Sequence, residues 1–321
     1  MAGTASTDDE RLEPLGDDVV EVDTRTAGMS RVTAGFLLDA PRPALVECGP
    51  ALSAGEVVEA LGAAGLDPDD LAYLVVTHVH LDHAGGAGDV AEAFPNATVV
   101  VSEVGARHLV DPERLNASSR RVYGELMDTV YGECTPIAEP RVLGVADGAE
   151  LDLGGGRTLE LLHTPGHAKH HLSVLDRASG TLFAGDSVGV RMPGMRAIRP
   201  ATPPPDFDLE LATATLARYR AIAPQRLMLA HYGEVGPVDA ALAEAEERLA
   251  AWFEAAEAAW REHSELDHVA ETLRQRFADE LEPDDDDPDA TDRVELLSGY
   301  RSNAAGLTRY LRLRDEGRAG S

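Results

Sequence analysis

Two β-sheets packed together and flanked by helices is the α/β fold class that this 321-residue chain predicts. Three observations carry it. Short apolar runs of strand length recur in both halves and are interleaved with helical patterns. Strands dominate the early chain, while the end beyond residue 238 reads as helix throughout. No fixed-period repeat points to a solenoid or propeller.

In order, residues 1–15 read as a polar, acidic tail. Val19–Val22, Val32–Leu38 and Ala44–Glu47 read as strands, the last closed by Cys48-Gly49-Pro50. Ser53 with Glu56 three residues on forms a capping-box pattern for a helix to about Leu61. Asp67-Pro68-Asp69-Asp70 is a turn, Leu71–Val76 a buried strand, and Gly88–Phe94 a helix. Val99–Val101 follows as a strand, then a mostly helical or irregular stretch, 102–132. Arg141–Val145, Leu159–His163, His171–Leu175 and Thr181–Ala184 have strand length, with Gly and Asp turns between them. Helix is expected over Leu209–Ile222, a strand over Leu227–Ala230, and helices over Val238–Arg261, 266–281 and Val294–Leu313, with an acidic linker at 283–291.

Charge restricts the partners. Asp and Glu number 57 against 28 Lys and Arg, a net charge of −29, and Lys169 is the one lysine. Such a surface repels nucleic-acid phosphate and anionic membrane in ordinary salt, so neither is expected as a partner. It suits a high-salt cytoplasm, where dense carboxylates keep a protein soluble and salt screens their repulsion. A GC-rich genome that exchanges Lys for Arg is the alternative source. The polar start lacks the basic and apolar segments of a secretory signal, and a cytoplasmic enzyme is expected. Cys48 and Cys134 stand far apart with no Cys-x-x-Cys and are expected as free thiols.

The chemistry concentrates in Thr77-His78-Val79-His80-Leu81-Asp82-His83, directly after the strand Leu71–Val76. In an extended segment His78 and His80 share a face and can hold one cation. Asp82 and His83 follow where the chain turns, which suits a second cation nearby. Later strands also end in potential ligands: Pro165-Gly166-His167, Gly185-Asp186 and His231.

His-x-His-x-Asp-His, a later Pro-Gly-His, a later Gly-Asp and a final His, in this order, resemble the metallo-β-lactamase superfamily, which includes glyoxalase II and lactonases. The resemblance covers about residues 17–235. It implies a four-layered αβ/βα sandwich in which His78, His80 and His167 hold one divalent cation, Asp82, His83 and His231 a second, and Asp186 bridges them. Zinc is expected first, with iron or manganese as alternatives that His and Asp also suit. Where the family often carries Asp-x-Gly after its third strand, this chain has Glu47-Cys48-Gly49, one methylene longer. The domain reading is a tail at 1–16, a catalytic domain at 17–236, and a helical extension at 237–321 packed on it. That extension, with Leu297-Ser298-Gly299-Tyr300, is similar to a small archaeal and bacterial subgroup.

The implied reaction is attack of a metal-activated water on the carbonyl of a small ester, thioester or lactone, with Asp82 orienting the nucleophile or carrying its proton. No Gly-x-Ser-x-Gly supplies a serine alternative. Two rival readings use the same residues: a mononuclear iron persulfide dioxygenase and a phosphodiesterase or nuclease. Tyr123, Met127 and Tyr131 in the 111–133 insert share a helix face that serves ordinary packing or, as the alternative, a pocket wall that sets specificity. The 191–205 loop is expected as a lid whose Arg191, Arg196 and Arg199 receive an anionic small molecule or pair with carboxylates. The C-terminal helices are expected to cover the site or to form a homodimer.

Overall fold

The computed structural model describes residues 9–281 and 290–318. The expected acidic linker at 283–291 lies almost wholly outside the described residues, as does the first half of the expected tail. The chain divides into two compact units, Met1–His163 with Leu172–Phe183, and Thr164–His171 with Ala184–Ser321.

In the first unit, strands β1 (Leu12–Gly16), β2 (Val19–Asp23), β3 (Ala34–Leu38), β4 (Ala44–Val46), β5 (Tyr73–Val75), β6 (Thr98–Ser102) and β7 (Val142–Val145) form one sheet in chain order. Pairing is antiparallel from β1 to β4 and parallel from β4 to β7. The parallel part needs helical crossovers, and the sequence supplies them. These are α1 (Ala54–Ala63), then α2 (Leu81–Ala84) and α3 (Ala87–Ala93), then α4 (Glu103–Val110) and α5 (Glu113–Tyr123) with a π-helical turn, Met127–Tyr131. Val57, Leu61 and Val90 from these helices share one buried cluster with Leu45, Leu74, Val99 and Val101 of the sheet. That explains why β4–β6 read as unbroken apolar runs instead of alternating.

Four more strands, β8 (Ala149–Gly154), β9 (Arg157–His163), β10 (Leu172–Asp176) and β11 (Thr181–Phe183), pair antiparallel in that order. They pack on the first sheet. The rings of Phe36 and Phe183 lie 5.1 Å apart, and Leu172 N–H donates to the Thr77 carbonyl at 2.8 Å. The expected architecture of two sheets flanked by helices is therefore the one observed.

The second unit contains α6 (Leu209–Ile222), the antiparallel pair β12 (Arg226–Leu229) and β13 (Gly233–Val235), and the helices α7 (Val238–Glu262), α8 (Leu266–Arg276), α9 (Ala290–Ser298) and α10 (Tyr300–Asp315). Asp208 caps α6, its Oδ1 accepting from Leu211 N–H at 3.0 Å. Phe277, Trp252 and Tyr300 stack, with centroids 5.1 and 5.5 Å from the central indole. Among the described residues no helix is long and apolar enough to cross a membrane.

Several local expectations change. Leu12–Gly16, read as tail, is β1, and β8 and β13 are additional strands. Ser53 makes no capping bond to α1; its hydroxyl donates to the Arg25 carbonyl instead. The expected 266–281 helix stops at Arg276, and the last helix breaks at Gly299, whose ψ of 148° is extended.

Candidate metal centre

The first donor set hangs from the end of β5. There the backbone leaves the sheet at Thr77 and turns into the short helix α2, which carries Asp82 and His83. The two early imidazoles face each other, His78 Nε2 lying 2.9 Å from His80 Nδ1. Thr77 Oγ1 donates to Glu47 Oε1 and therefore accepts from His78 Nδ1 at 2.9 Å, which leaves the His78 Nε2 lone pair for a cation. Glu47 Oε1 also lies 3.3 Å from His83 Nδ1, and His83 Nε2 lies 3.6 Å from Asp82 Oδ2. One fully buried carboxylate thus stands behind two imidazoles. Its backbone sits at φ 68°, a left-handed conformation that costs a non-glycine residue about 1–2 kcal/mol. The extra methylene of Glu over Asp still lets the carboxylate reach Thr77 Oγ1 and approach His83 Nδ1.

The second set comes from three loops of the second unit. His167 Nδ1 donates to the Ala201 carbonyl at 3.0 Å, so its Nε2 carries the lone pair and lies 3.5 Å from Asp186 Oδ2. His231 Nε2 lies 3.6 Å from the other oxygen, Asp186 Oδ1. Ala184 N–H bonds to the Met228 carbonyl on β12 at 2.9 Å, which brings the Asp186 turn beside the strand that ends in His231. His171 accepts from Asp186 N–H through Nε2 at 3.2 Å and meets Thr164 Oγ1 through Nδ1 at 2.8 Å. Both its nitrogens are occupied, so it holds the loop and is no ligand.

These spacings fit cations. Two donors about 2.1 Å from a tetrahedral metal stand roughly 3.4 Å apart, longer than a hydrogen bond. The His167–Asp186, His231–Asp186 and His83–Asp82 separations of 3.5, 3.6 and 3.6 Å match that span. His78 and His80, at 2.9 Å, are about half an ångström short of it. The donor set of imidazoles and carboxylates suits a divalent cation.

Around the first set stand the tyrosines of the insert. Tyr123 and Tyr131 rings lie 4.7 Å apart, and Met127 and Tyr131 are core residues, while Tyr123 remains 38% exposed. Burial, reinforced by the Asp82 carboxylate, pushes the Tyr123 phenol up to about 12 and raises that of Tyr131 as well. Both stay protonated through the neutral range.

The expected lid is anchored. Val190 and Arg199 pair as a β-bridge, Met195 pairs with Leu281, and Arg196 N–H donates to the Glu280 carbonyl at 2.9 Å. Arg199 is fully buried, so it is not available to an anionic substrate. Its guanidinium donates to Glu280 Oε2 at 3.3 Å, the Ser298 carbonyl at 2.8 Å and Tyr300 Oη at 3.0 Å. The ion-pair reading of Arg199 holds, with a buried carboxylate in place of a surface one.

The Ala201 carbonyl carries no signal in the sequence, because a backbone acceptor has no residue type. The Thr77 hydroxyl stands next to His78 and was open to notice as a hydroxyl beside a ligand.

The sequence profile described as "Metallo-beta-lactamase superfamily" matches residues 32–231. A "metallo-beta-lactamase fold-containing protein ST1585" of Sulfurisphaera tokodaii is 35% identical over 172 residues, 53% of this chain and 63% of the relative. The N-acyl homoserine lactonase AttM of Agrobacterium fabrum is 32% identical over 122 residues, 37% of this chain and 41% of the lactonase. The chain thus spans less than two thirds of either relative's length. Among solved structures, the metallo-β-lactamase family protein TTHA1429 of Thermus thermophilus superposes with a TM-score of 0.59 at 22% identity, covering 89% of each chain, a likeness of fold alone.

Proposed function

The chain belongs to the metallo-β-lactamase superfamily, and from that premise we propose that it is a dinuclear metal-dependent hydrolase of small esters, thioesters or lactones. The observation that carries the reading is Asp186, which offers one oxygen to the Nε2 of His167 and the other to that of His231 at ligand spacing. In this reading His78, His80 and His167 would hold one cation, Asp82, His83 and His231 the other, and Asp186 would serve both. Zinc is the first candidate. When bound, such a pair supplies a water of lowered pKa and a Lewis acid for the substrate carbonyl.

The chain's own groups do the rest. Glu47 sets its carboxylate 3.3 Å from His83 Nδ1, and Thr77 fixes the tautomer of His78, so that ring presents a lone pair without rearrangement. The Ala201 carbonyl does the same for His167. Asp82 offers a carboxylate oxygen that can hold the proton leaving the nucleophile. Tyr123, partly exposed and protonated, is a wall and hydrogen-bond donor for the substrate. The lactonase relatives favour a lactone or ester among the three bond types.

Elemental analysis of the purified protein should give close to two zinc per chain. Metal-dependent turnover should appear in a screen of lactones and thioesters and disappear in Asp186→Ala. Protein that binds no metal, or an Asp186→Ala variant with unchanged turnover, would sink the proposal. One iron per chain with oxygen uptake on a persulfide would replace it by the oxidative reading.

A further inference from the structure

The hairpin 190–201 lies between the second donor set and the C-terminal helices, and its contacts run both ways. Toward the donors, the Ala201 carbonyl accepts from His167 Nδ1 at 3.0 Å, and Arg191 N–H donates to the His231 carbonyl. Toward the helices, both near neighbours of Ala201 are gripped. Thr202 N–H donates to Asn303 Oδ1 at 2.6 Å, and its hydroxyl lies 3.0 Å from the same oxygen and 3.2 Å from the Asn303 carbonyl. Arg199 ends in the buried cage of Glu280, Ser298 and Tyr300. Trp252 Nε1 and Arg248 Nη1 hold the second Glu280 oxygen at 3.0 and 3.1 Å.

The helix backbone itself comes close. A Cβ added at Gly306 on α10 would run into the Thr202 carbonyl oxygen, so only glycine allows this approach. Gly299, which breaks the helix before α10, leaves the Ser298 carbonyl pointing at Arg199 and Asn303 Nδ2 at 2.8 and 3.3 Å. Asn303 therefore bonds to the hairpin on one side and to the helix break on the other.

We infer that the C-terminal helices are a positioning element for the metal centre: Asn303 and the buried Arg199–Glu280 pair fix the Ala201 carbonyl, and that carbonyl sets the tautomer and direction of the His167 ring. The inference rests on the proposed reading of His167 as a ligand. Asn303, Arg199 and Glu280 are positioning residues that act through two backbone positions. A carbonyl that drifts by an ångström no longer holds the Nδ1 proton, and the Nε2 lone pair is then shared with the other tautomer.

The test uses metal-free, full-length protein titrated with cobalt(II), read by its visible ligand-field bands, and with zinc against a competing chelator. Asn303→Leu removes the acceptor for Thr202 N–H; Asn303→Asp keeps it. Loss of an outer partner of this kind weakens metal binding about 10–100-fold. That loss is expected for one cation in Asn303→Leu, with shifted cobalt bands, and partial recovery in Asn303→Asp, which keeps the acceptor for Thr202 N–H but loses the donor to the Ser298 carbonyl. Leu273→Ala, on the buried face of α8, serves as a destabilised control that removes none of the hairpin's hydrogen bonds.

An Asn303→Leu protein that keeps wild-type affinity and cobalt bands overturns the inference. So does one that loses metal only as much as Leu273→Ala does. If Asn303→Leu does not fold, Thr202→Val carries the test: a smaller loss of affinity in the same cation supports positioning, and an unchanged titration overturns it. His167→Ala separates the two levels. If it binds metal like wild type, the ligand assignment fails and takes the positioning role with it. If it loses a cation while the Asn303 and Thr202 variants do not, the positioning role alone fails.

Discussion

The two donor sets are built in opposite ways. His78, His80, Asp82 and His83 lie within six consecutive residues, on one strand end and one helical turn. Their supports are close as well: Thr77 is adjacent in sequence, and Glu47 lies at the end of the neighbouring parallel strand β4. His167, Asp186 and His231 come from three separated loops, and the acceptor that orients His167 belongs to a fourth segment, itself held by helices near residue 300. A local set is ordered by its own backbone. A dispersed set is ordered by the fold, and changes far away in sequence reach it.

The harshest test of that contrast is Asp186, the hub of the dispersed set. Asp186→Ala should lower metal-dependent turnover by at least about 100-fold and release cation on gel filtration, read by elemental analysis. A variant that retains both cations would show that the dispersed set does not bind them. Next in size is the scaffold. Glu280→Leu leaves Arg199 and Arg248 facing a hydrocarbon chain, and breaking a buried pair from one side costs about 3–5 kcal/mol. Denaturant unfolding should show that loss. A cost below 1 kcal/mol would mean that the cage is not what holds the hairpin.

Glu47 probes the local set. Glu47→Gln removes the charge that faces His83 and Thr77 and should weaken metal binding about 10–100-fold, while Glu47→Asp, which restores the charge on a shorter arm, should recover part of it. Equal affinity in all three proteins would deny the carboxylate its supporting role. The smallest effect concerns Tyr123. Its folded pKa of about 12 lies above the value near 10 of an unfolded tyrosine, so the folded state keeps a proton that the unfolded state loses. Stability from this group is complete below pH 10 and lost as pH rises from 10 toward 12. Alkaline unfolding should begin in that window and soften in Tyr123→Phe; an identical alkaline profile in the variant would refute the assignment.

Legibility followed the same division. The local set could be read because four donor residues within six positions after an apolar strand have few other uses. The dispersed donors were found by their order and by the strands they terminate, and the structure places Asp186 against both His167 and His231. What stayed hidden was tertiary. Nothing in the chain says that Arg199 ends on a carboxylate 81 residues away instead of in solvent. β1 escaped because only Leu12 of its five residues is buried and a proline interrupts it, as suits an edge strand paired on one side. β8 carries a legible pattern: Leu151 and Leu153 face inward with Asp152 exposed between them. Ser53 had the pattern of a cap, but its hydroxyl found the Arg25 carbonyl, a partner that only folding supplies.

The lone lysine has a practical consequence. Lys169 follows His167 by two residues, and its side chain is 60% exposed, 4.0 Å from Asp206. A lysine-specific protease therefore has one peptide bond to attack in the whole chain, and that bond lies in the loop that delivers His167. A single clean cut would yield fragments 1–169 and 170–321, and its rate would report how often that loop unfastens.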